Sequence, residues 1–402
     1  MMGVITPTVS VPTVPAPGET DVVAVVASGR SLAAAARRAW DEGRAILPVN
    51  PAFTASEIET LLARLRPTHL EDGRRRDGVP ATADVVAVVV TSGTTGVPKG
   101  VELTRAGMEA MGRSYSDALG ATAADRWLVC LPLHHVASLG ILARSLVTNV
   151  PCTIHDGFDV ARVAASPSTE GTTLVSVVPT ALKRLLDAGA PVHQYRRVIV
   201  GGAPFPGALR ARAEAAGAPV VDAYGLSETW GGFALDGSPI ASAEAHVDGA
   251  RGEILVRGAM VMRGYRLDPL LTADARDDAG WLRTGDTGTQ DADGRLTVTD
   301  RLKDVIISGG VNVSPTEVEG VLARHPRVAD VCVVGTPDDE WVERVVAVVV
   351  PARDADPSLR ELREFAAEHL SPAKLPRELR LVDTIPRTVS GKPLRRLLRD
   401  LG

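Results

Sequence analysis

Short runs of apolar residues alternate along the chain with longer stretches rich in Ala, Leu and Arg. The Val- and Ile-rich runs predict strands at residues 84–91, 126–131, 197–200, 253–257, 330–334 and 345–350. The longer stretches predict helices at residues 139–148, 180–188, 206–216, 314–324 and 358–369. Because continuous apolar strands interleave with helices, we predict an α/β fold with layered, buried and partly parallel sheets.

A second structural unit is predicted to begin near residue 301. The charged segment at 301–304 (RLKD) precedes a glycine-rich turn, and roughly 100 residues with their own strands and helices follow it. Among them, Ser314 is predicted to be a helix N-cap, with Pro315 in the first turn and Glu317 closing a capping box. We therefore expect a large N-terminal domain at 21–300, a hinge at 301–304 and a small C-terminal domain at 305–402.

The composition is that of an ordinary globular protein. Of the 402 residues, 45% are hydrophobic and 23% charged, and the net charge of −5 gives no electrostatic reason to expect a nucleic-acid or membrane partner. No apolar run is long enough to span a bilayer. Residues 1–20 lack the features of a signal peptide, and their Pro, Thr and Val content predicts a flexible arm.

The chain has three cysteines, Cys130, Cys152 and Cys332, which lie far apart in the sequence. They form neither a disulfide framework nor a CxxC metal site. We therefore expect a protein of the reducing cytoplasm.

Residues 91–100 (TSGTTGVPKG) form a segment rich in glycine and hydroxyl groups directly after an apolar strand. Glycines allow the backbone to approach a polyphosphate, while hydroxyl and backbone N–H groups donate hydrogen bonds. The order of residues differs from the GxxxxGK[ST] loop, so we predict a different phosphate-binding loop. Thr91 and the cationic Lys99 are candidate catalytic residues, and the other phosphate contacts would come from Ser92, Gly93, Thr94, Thr95 and Gly96.

This segment resembles the signature of the acyl-adenylate-forming superfamily, which includes acyl-CoA synthetases, firefly luciferase and nonribosomal adenylation domains. The resemblance implies a large N-terminal domain of layered α/β sheets, hinged to a small, mobile α+β C-terminal domain. It also implies two half-reactions. ATP, with Mg²⁺, and a carboxylic acid give acyl-AMP and pyrophosphate, and a thiol, often that of coenzyme A, then displaces AMP.

A second motif, residues 222–229 (DAYGLSET), resembles the adenine-binding motif of the superfamily. The resemblance implies that Tyr224 lies against adenine and that Glu228 holds Mg²⁺, a cation that prefers carboxylate, phosphate and water oxygens. The hydroxyl of Ser227 or that of Thr229 would contact phosphate. The same nucleotide site would include Asp222 and Gly225.

The segment at 200–204 (VGGAP) follows a predicted strand and resembles one that lines the adenine site in the superfamily. Gly202 and Ala203 would contact the nucleotide. Gly201 would face the acid, as would Gly231 in the residues after the second motif.

A third motif, residues 280–286 (GWLRTGD), resembles the ribose-binding segment of the superfamily. Its aspartate is Asp286, and one carboxylate can accept two hydrogen bonds from a vicinal diol. Arg301 would contact ribose or phosphate. Within the same charged segment, Lys303 matches the position at which superfamily members pivot their C-terminal domain.

Two further segments resemble parts of the C-terminal domain. Residues 308–314 (SGGVNVS) resemble a loop that approaches the active site for the thiol step, where Gly309 and Gly310 would let a pantetheine arm pass the backbone. Residues 386–393 (PRTVSGKP) contain Lys392, which matches the adenylation lysine. Its ammonium would bridge the carboxylate and the α-phosphate.

The binding site for the acid is indicated by a less regular segment, residues 131–138 (LPLHHVAS). This segment resembles a PLFHxxG segment beside the acyl pocket. His135 matches the histidine of that segment, while His134 replaces the Phe and Ser138 replaces the Gly. His135 and Ser138 are therefore candidate acid-binding residues. The two replacements leave the shape of the pocket open.

Several strings further resemble o-succinylbenzoate–CoA ligases of menaquinone synthesis: the HHVAS run with Arg144 after it, residues 176–180 (SVVPT), and residues 224–232 (YGLSETWGG). Arg144 or another cation would then pair with a second substrate carboxylate. The interpretation we favour from sequence is an apolar helix followed by a solvent-facing arginine. Only 90 residues precede Thr91, so we also expect a shortened front of the N-terminal domain.

Three functions remain open from the sequence. The first is an acid–CoA ligase whose partners are a small carboxylic acid, ATP and coenzyme A, with homodimer formation as an open alternative. The second is a biosynthetic adenylating enzyme with a carrier-protein thiol, an amine or another small nucleophile as acceptor. The third, a non-catalytic nucleotide-binding homologue, is disfavoured because a binding module has no need of Lys392.

Overall fold

The structure of the protein, a computed structural model, describes residues 16–92, 98–249, 252–387 and 393–400, without the side chain of Ser92. Its strands, in chain order, are β1 Glu19–Thr20, β2 Val22–Val26, β3 Ala45–Val49, β4 His69–Leu70, β5 Ala81–Thr82, β6 Val85–Ser92, β7 Pro98–Thr104, β8 Trp127–Val129, β9 Cys152–Ile154, β10 Leu174–Val177, β11 Arg197–Gly201, β12 Val220–Leu226, β13 Gly231–Leu235, β14 Ser238–Pro239, β15 Ala243–Val247, β16 Glu253–Gly258, β17 Gly264–Tyr265, β18 Leu282–Gln290, β19 Leu296–Arg301, β20 Ile306–Ser308, β21 Val311–Val313, β22 Val328–Asp338, β23 Val342–Pro351 and β24 Glu378–Leu381.

The α-helices are α1 Gly29–Asp41, α2 Ala55–Leu65, α3 Arg105–Ala118, α4 Val136–Thr148, α5 Val160–Glu170, α6 Pro179–Asp187, α7 Gly207–Ala215, α8 Pro269–Asp274, α9 Pro315–Leu322, α10 Leu359–Ala367 and α11 Arg395–Arg399. Short 3₁₀ turns occur at Val192–Gln194, Ser227–Thr229, Leu302–Asp304 and Pro372–Lys374. In the part of the chain that the structure describes, no helix is both long and apolar enough to cross a bilayer.

Two larger sheets form most of the N-terminal part. One has the strand order β14-β13-β12-β11-β10-β8-β9, and the other has the order β17-β7-β6-β3-β2-β4. A single apolar core joins them, with members from both sheets and from α3 and α4, including Val101, Met111, Trp127, Leu142 and Phe233. The aromatic residues are few, but three of them are among the largest fully buried side chains, at Trp127, Trp230 and Phe233.

In the first of these sheets, β8, β10, β11 and β12 run parallel, with β10 between β8 and β11. The carboxyl ends of parallel strands meet at one edge of a sheet, and ligands of open α/β sheets bind outside that edge. The predicted acid segment follows β8, the segment at 200–204 begins at the end of β11, and the motif at 222–229 begins within β12. The topology therefore gathers segments that are far apart in sequence.

A third sheet, with the order β15-β16-β18-β19, carries Asp286 and Arg301 on neighbouring strands. Beyond it, β20 to β24 form a five-stranded sheet with α9 and α10. Two apolar cores built from residues 306–398 contain no described residue from before Ile306. This separation supports two units joined near residues 301–305.

Each predicted strand and helix overlaps an element of the same type, with ends that differ by a few residues. The predicted cap at Ser314 is confirmed, because its Oγ accepts a hydrogen bond from the Glu317 N–H at 2.9 Å. The reciprocal half of the predicted capping box is wrong. The Glu317 carboxylate instead accepts two hydrogen bonds from Lys374 Nζ, at 2.7 and 2.6 Å, because that cation offers a stronger partner than a backbone N–H.

The end of the predicted flexible arm is ordered. Glu19 and Thr20 form β1 and pair with Thr82 and Ala81 of β5. Thr20 is buried, and its hydroxyl donates a 2.6 Å hydrogen bond to the Gly43 carbonyl. The residues before position 16 lie outside the described part of the chain.

Candidate active site

Tyr224, Asp286 and Arg301 form a connected group at the carboxyl edge of the parallel strands. The Tyr224 phenol donates a 2.8 Å hydrogen bond to Asp286 Oδ2, and Arg301 Nε lies 2.7 Å from Asp286 Oδ1. Asp286 is 5% exposed, and its backbone N–H donates to the Thr284 hydroxyl at 3.1 Å. The structure thus brings the proposed adenine and ribose residues together around one buried carboxylate.

The environment of Tyr224 keeps its phenol protonated. Burial, and then the negative charge of Asp286, raise the pKa of Tyr224 well above its usual range. Its ring packs against Phe233 with the ring centroids 4.8 Å apart. The phenol is therefore a fixed donor to Asp286, and the ring has a fixed orientation for stacking.

The turn after Tyr224 depends on its glycines. A Cβ on Gly225 would lie 1.9 Å from the Gly231 carbonyl oxygen, and Gly231 itself has φ +98°. Thr229 is fully buried, and its hydroxyl donates to that same Gly231 carbonyl at 2.7 Å. Because the Thr229 hydroxyl is used within the turn, Ser227 is the hydroxyl of this motif that we retain as a phosphate contact.

Glu228, the proposed metal carboxylate, is held by the phenol of Tyr265. Tyr265 donates a 2.7 Å hydrogen bond to Glu228 Oε1, and the Glu228 carbonyl accepts one from the Met262 N–H at 2.7 Å. Burial and the charge of Glu228 raise the pKa of Tyr265, so it stays a donor. No described residue donates a hydrogen bond to Glu228 Oε2, which leaves that oxygen for a hard cation.

Glu228 fits a magnesium ion that is shared with ATP phosphates. Among the residues that the structure describes, no group of three or more His, Cys, Asp or Glu side chains is arranged to hold a metal ion. Mg²⁺ is usually bound by one or two carboxylates together with phosphates and water, so a single carboxylate beside a phosphate loop suits it.

The proposed phosphate loop is described only at its two ends. Thr91 on β6 pairs with Lys99 on β7, in the hairpin that the loop closes. Lys99 Nζ lies 5.3 Å from the centroid of the Tyr265 ring. Gly93, Thr94, Thr95 and Gly96 lie outside the described residues, as does the Ser92 side chain.

The segment after β11 lies beside the start of the Tyr224 motif. Gly201 pairs with Ala223, and a Cβ on Gly201 would lie 2.8 Å from the Ala223 carbonyl oxygen. Gly202 follows with φ +79°, and Ala203 is half-buried. Burial raises the pKa of Asp222, whose carbonyl accepts a hydrogen bond from the Asp236 N–H at 2.8 Å.

His134 and His135 lie at the start of α4, after β8. Their ring centroids are 4.4 Å apart. Burial, and then the neighbouring His135, lower the pKa of His134 to about 4, and burial also lowers the pKa of His135. Both rings are therefore neutral near pH 7. Ser138 is 1% exposed, and its backbone N–H donates to the His135 carbonyl at 3.1 Å.

The expectation that Arg144 faces solvent is wrong. Arg144 is 3% exposed, and its guanidinium lies 4.2 Å from the Tyr115 ring centroid and 4.9 Å from that of Trp127. Its Nη1 is 3.5 Å from Met111 Sδ, and its buried Nε has no hydrogen-bond partner among the described residues. Cation–π contacts from two aromatic side chains stabilise the charge inside the core.

The proposed hinge is the short 3₁₀ turn Leu302–Asp304. The Lys303 side chain is partly exposed, and the burial of the rest of it lowers its pKa. The charge of Asp304 opposes this effect, and the charges of Arg301, Arg399 and Lys99 reinforce it. Gly309 and Gly310 form the turn between β20 and β21 with φ +60° and +77°.

Asp300 joins the two sides of this hinge. It lies on β19, and its carboxylate accepts hydrogen bonds from the Ser314 hydroxyl and, at 3.1 Å, from the Thr316 N–H at the start of α9. Asp300 is 7% exposed. One side chain before the hinge thus caps a helix that follows it.

Lys392 lies outside the described residues, and the described residues on either side of its segment contact one another. Arg387 and Pro393 form an isolated bridge, and the Leu394 N–H donates to the Pro386 carbonyl at 2.8 Å. Arg395 then contacts both Glu319 carboxylate oxygens, at 2.8 and 3.1 Å. These contacts anchor the base of the segment that carries Lys392.

Two features of the site were missed by sequence reasoning. Tyr265 lies 37 residues from Glu228 in a two-residue strand, which has too little periodicity to attract notice. The aromatic partners of Arg144 belong to other elements. The one available signal was the apolar helix around Arg144, because an arginine inside such a helix requires buried partners.

These features define an acyl-adenylate-forming enzyme fold, and the comparisons with known proteins agree. Residues 68–266 match the family model for AMP-binding enzymes, and residues 317–392 match that for the AMP-binding enzyme C-terminal domain. The chain belongs to the AMP-binding enzyme family.

Its relatives include 2-succinylbenzoate–CoA ligases. That of Bacillus pumilus (strain SAFR-032) is 37% identical over 336 residues, which cover 78% of this chain and 68% of the relative. A probable 2-succinylbenzoate–CoA ligase of Mycobacterium tuberculosis (strain H37Rv) is 37% identical over 331 residues, 80% of this chain and 85% of the relative. The superfamily and subfamily resemblances predicted from sequence are confirmed.

The fold prediction is also confirmed by solved structures. The o-succinylbenzoate CoA synthetase of Bacillus subtilis, in complex with the acyl-adenylate intermediate OSB-AMP, superposes with a TM-score of 0.85 at 29% identity, covering 95% of this chain and 88% of that one. ATP-bound MatB of Rhodopseudomonas palustris has the same fold, with a TM-score of 0.85 and the same coverage at 24% identity.

Proposed function

We propose that this protein is an AMP-forming acid–CoA ligase. The observation that carries the proposal is the buried group of Tyr224, Asp286 and Arg301, placed beside Glu228 in a chain of the AMP-binding enzyme family. A buried carboxylate that is already oriented by a phenol and a guanidinium is suited to a ribose diol.

In the first half-reaction, a carboxylate oxygen of the acid attacks the α-phosphorus of ATP. A bond forms between that oxygen and phosphorus, the α–β phosphoanhydride bond breaks, and pyrophosphate leaves. Tyr224 stacks on adenine, and Asp286 and Arg301 hold the ribose. Glu228 would hold Mg²⁺, which would supply positive charge beside the phosphates, and Lys392 would bridge the two reacting groups.

In the second half-reaction, the thiol of coenzyme A loses its proton to solvent and attacks the acyl carbonyl carbon. A carbon–sulfur bond forms, the bond from carbon to the phosphate oxygen breaks, and AMP leaves. Lys303 serves as the pivot of the C-terminal domain at 305–402, and the turn at Gly309 and Gly310 lines the path of the pantetheine arm.

The acid that we propose is 2-succinylbenzoate, the substrate in the names of the relatives at 37% identity. Arg144 supports a dicarboxylic acid, because its buried guanidinium has aromatic partners and its Nε has no hydrogen-bond partner among the described residues. A second carboxylate of the substrate would supply that charge. His135, Ser138, Gly201 and Gly231 would form the wall of the acid site.

Acid-dependent exchange of labelled pyrophosphate into ATP tests this function. Aryl and aliphatic acids are assayed together with 2-succinylbenzoate, and the assay is repeated with coenzyme A to detect a thioester. We expect exchange and thioester with 2-succinylbenzoate. Exchange without thioester would support a carrier-protein thiol or an amine as acceptor, and no exchange with any acid would support a nucleotide-binding homologue.

Two further proposals concern the state of the protein in the cell. We propose a cytoplasmic location, supported by the three free cysteines. We also propose that the chain forms a homodimer, and sedimentation velocity of the purified protein tests this proposal.

A further inference from the structure

We infer that Tyr265 is the positioning residue for the metal carboxylate, and that it orients Glu228 for the Mg²⁺ of the ATP complex. This inference rests on the proposed function. It assigns a role to a residue outside every motif that the sequence analysis identified.

The first observation is the contact itself. The Tyr265 phenol donates to Glu228 Oε1 at 2.7 Å, and the described residues place no donor on Oε2. A carboxylate with one oxygen held by a neutral donor presents its second oxygen in a fixed direction. Partners of this kind orient ligating carboxylates in metal sites.

The second observation is that the phenol is itself rigidly placed. In β17, Tyr265 pairs with Val101 of β7, and the Tyr265 N–H donates to Thr272 Oγ1 at 2.8 Å. A Cβ on the preceding Gly264 would lie 2.7 Å from Thr272 Cγ2, so this approach requires glycine. The next residue, Arg266, is buried, and its Nε donates a 2.6 Å hydrogen bond to the Leu65 carbonyl.

The third observation is that the Glu228 end is fixed by the same segment. The Met262 N–H donates to the Glu228 carbonyl at 2.7 Å, three positions before Tyr265. Backbone and side chain of Glu228 are therefore held by one short stretch of chain. Two contacts from a single rigid stretch restrict both the position and the rotation of the carboxylate.

The fourth observation links this pair to the phosphate loop. Lys99 lies two residues before Val101 on β7, so both side chains are on one face of the strand. Lys99 Nζ is 5.3 Å from the Tyr265 ring centroid. Tyr265 thus contacts the cation with its ring and the carboxylate with its hydroxyl.

Tyr265→Phe tests the inference, because it removes the hydroxyl and keeps the ring over Lys99. The matched control is Tyr195→Phe, whose phenol donates a 2.6 Å hydrogen bond to the Val163 carbonyl in a separate apolar core. The probe is Mn²⁺, titrated by electron paramagnetic resonance with the protein saturated by α,β-methylene ATP, which cannot transfer its adenylyl group to an acid. Affinity for the nucleotide alone is measured by calorimetry in EDTA.

We expect Tyr265→Phe to weaken Mn²⁺ binding about tenfold, as is typical for the loss of a partner that orients a metal ligand. Nucleotide affinity in EDTA should stay unchanged, and Tyr195→Phe should match the wild type in both measurements. Tyr265→Leu, which also removes the ring, should additionally weaken nucleotide binding in EDTA, because Lys99 loses its support.

An unchanged Mn²⁺ affinity in Tyr265→Phe would overturn the inference. An equal loss of nucleotide affinity with and without metal would also overturn it, since that result describes a merely structural tyrosine. The proposed function fails separately, when the wild-type protein shows no acid-dependent pyrophosphate exchange whatever its Mn²⁺ affinity.

Discussion

Tyr224 and Asp286, which lie 62 residues apart, share a 2.8 Å hydrogen bond between the third residue of one motif and the last residue of another. The proposed adenine and ribose contacts are thus one unit, completed by Arg301. Substitutions within such a unit are not expected to be independent.

A double-mutant cycle of Tyr224→Phe and Asp286→Ala measures this coupling. We expect the KM for ATP to rise about threefold in Tyr224→Phe and about tenfold in Asp286→Ala, which loses both the charge paired with Arg301 and the acceptor of the Tyr224 phenol. The double variant should resemble Asp286→Ala, because the shared hydrogen bond is lost only once. The KM for the acid should change little, and multiplicative effects on the KM for ATP would contradict the coupling.

Lys392→Ala should separate the two half-reactions. We expect acyl-AMP formation to fall at least about a hundredfold, because positive charge at the reacting phosphate is lost. The reaction of preformed acyl-AMP with coenzyme A should continue. Lys183→Ala is the control, since Lys183 is an exposed lysine paired with Asp187 on α6. Equal loss of both half-reactions would contradict the assigned role.

Arg144→Met tests recognition of a second carboxylate, because methionine keeps much of the apolar stem and removes the charge. We expect kcat/KM for 2-succinylbenzoate to fall about a hundredfold, which corresponds to about 2.8 kcal/mol. The monocarboxylate analogue that keeps only the reacting carboxylate should lose far less, because it lacks the group that Arg144 contacts. Equal losses with both acids, together with a lower melting temperature, would make Arg144 a structural residue only.

The lowered pKa of His134 predicts that acid destabilises the folded protein. This pKa is lowered to about 4, so the unfolded chain binds a proton on His134 at a higher pH than the folded protein does. Stability should therefore fall as the pH decreases from about 6.5 towards 4. We expect His134→Phe to lose less melting temperature than the wild type between pH 7.5 and pH 5. The exposed His193→Gln is the control, and an unchanged pH dependence in His134→Phe would contradict the prediction.

The strands and helices that the sequence predicted were accessible because their apolar patterns are local. The run at Val85–Ser92 and the helix at Val136–Thr148 carry their own signals in sequence. The motif residues Tyr224, Glu228 and Asp286 were found for a different reason, namely their resemblance to a known family.

The remaining features depend on pairings that no local pattern reports. The burial of Arg144 depends on Tyr115 and Trp127, which arrive from α3 and β8. Glu317 binds Lys374, 57 residues away in sequence, and does not close the expected capping box. The Tyr265–Glu228 contact depends on how β17 aligns with β7. Tertiary contacts determine the positions of these side chains, and sequence spacing does not reveal those contacts.

The cap that Asp300 places on α9 has a kinetic meaning if Lys303 is the pivot. Rotation of the C-terminal domain would carry Ser314 and Thr316 away from Asp300, so each turnover would release this cap and form it again. A helix cap contributes about 1 kcal/mol, which changes a population about fivefold. The strength of one carboxylate contact would then determine how long the C-terminal domain stays in the present orientation. It would therefore also determine the fraction of time that the enzyme spends in each of its two chemical steps.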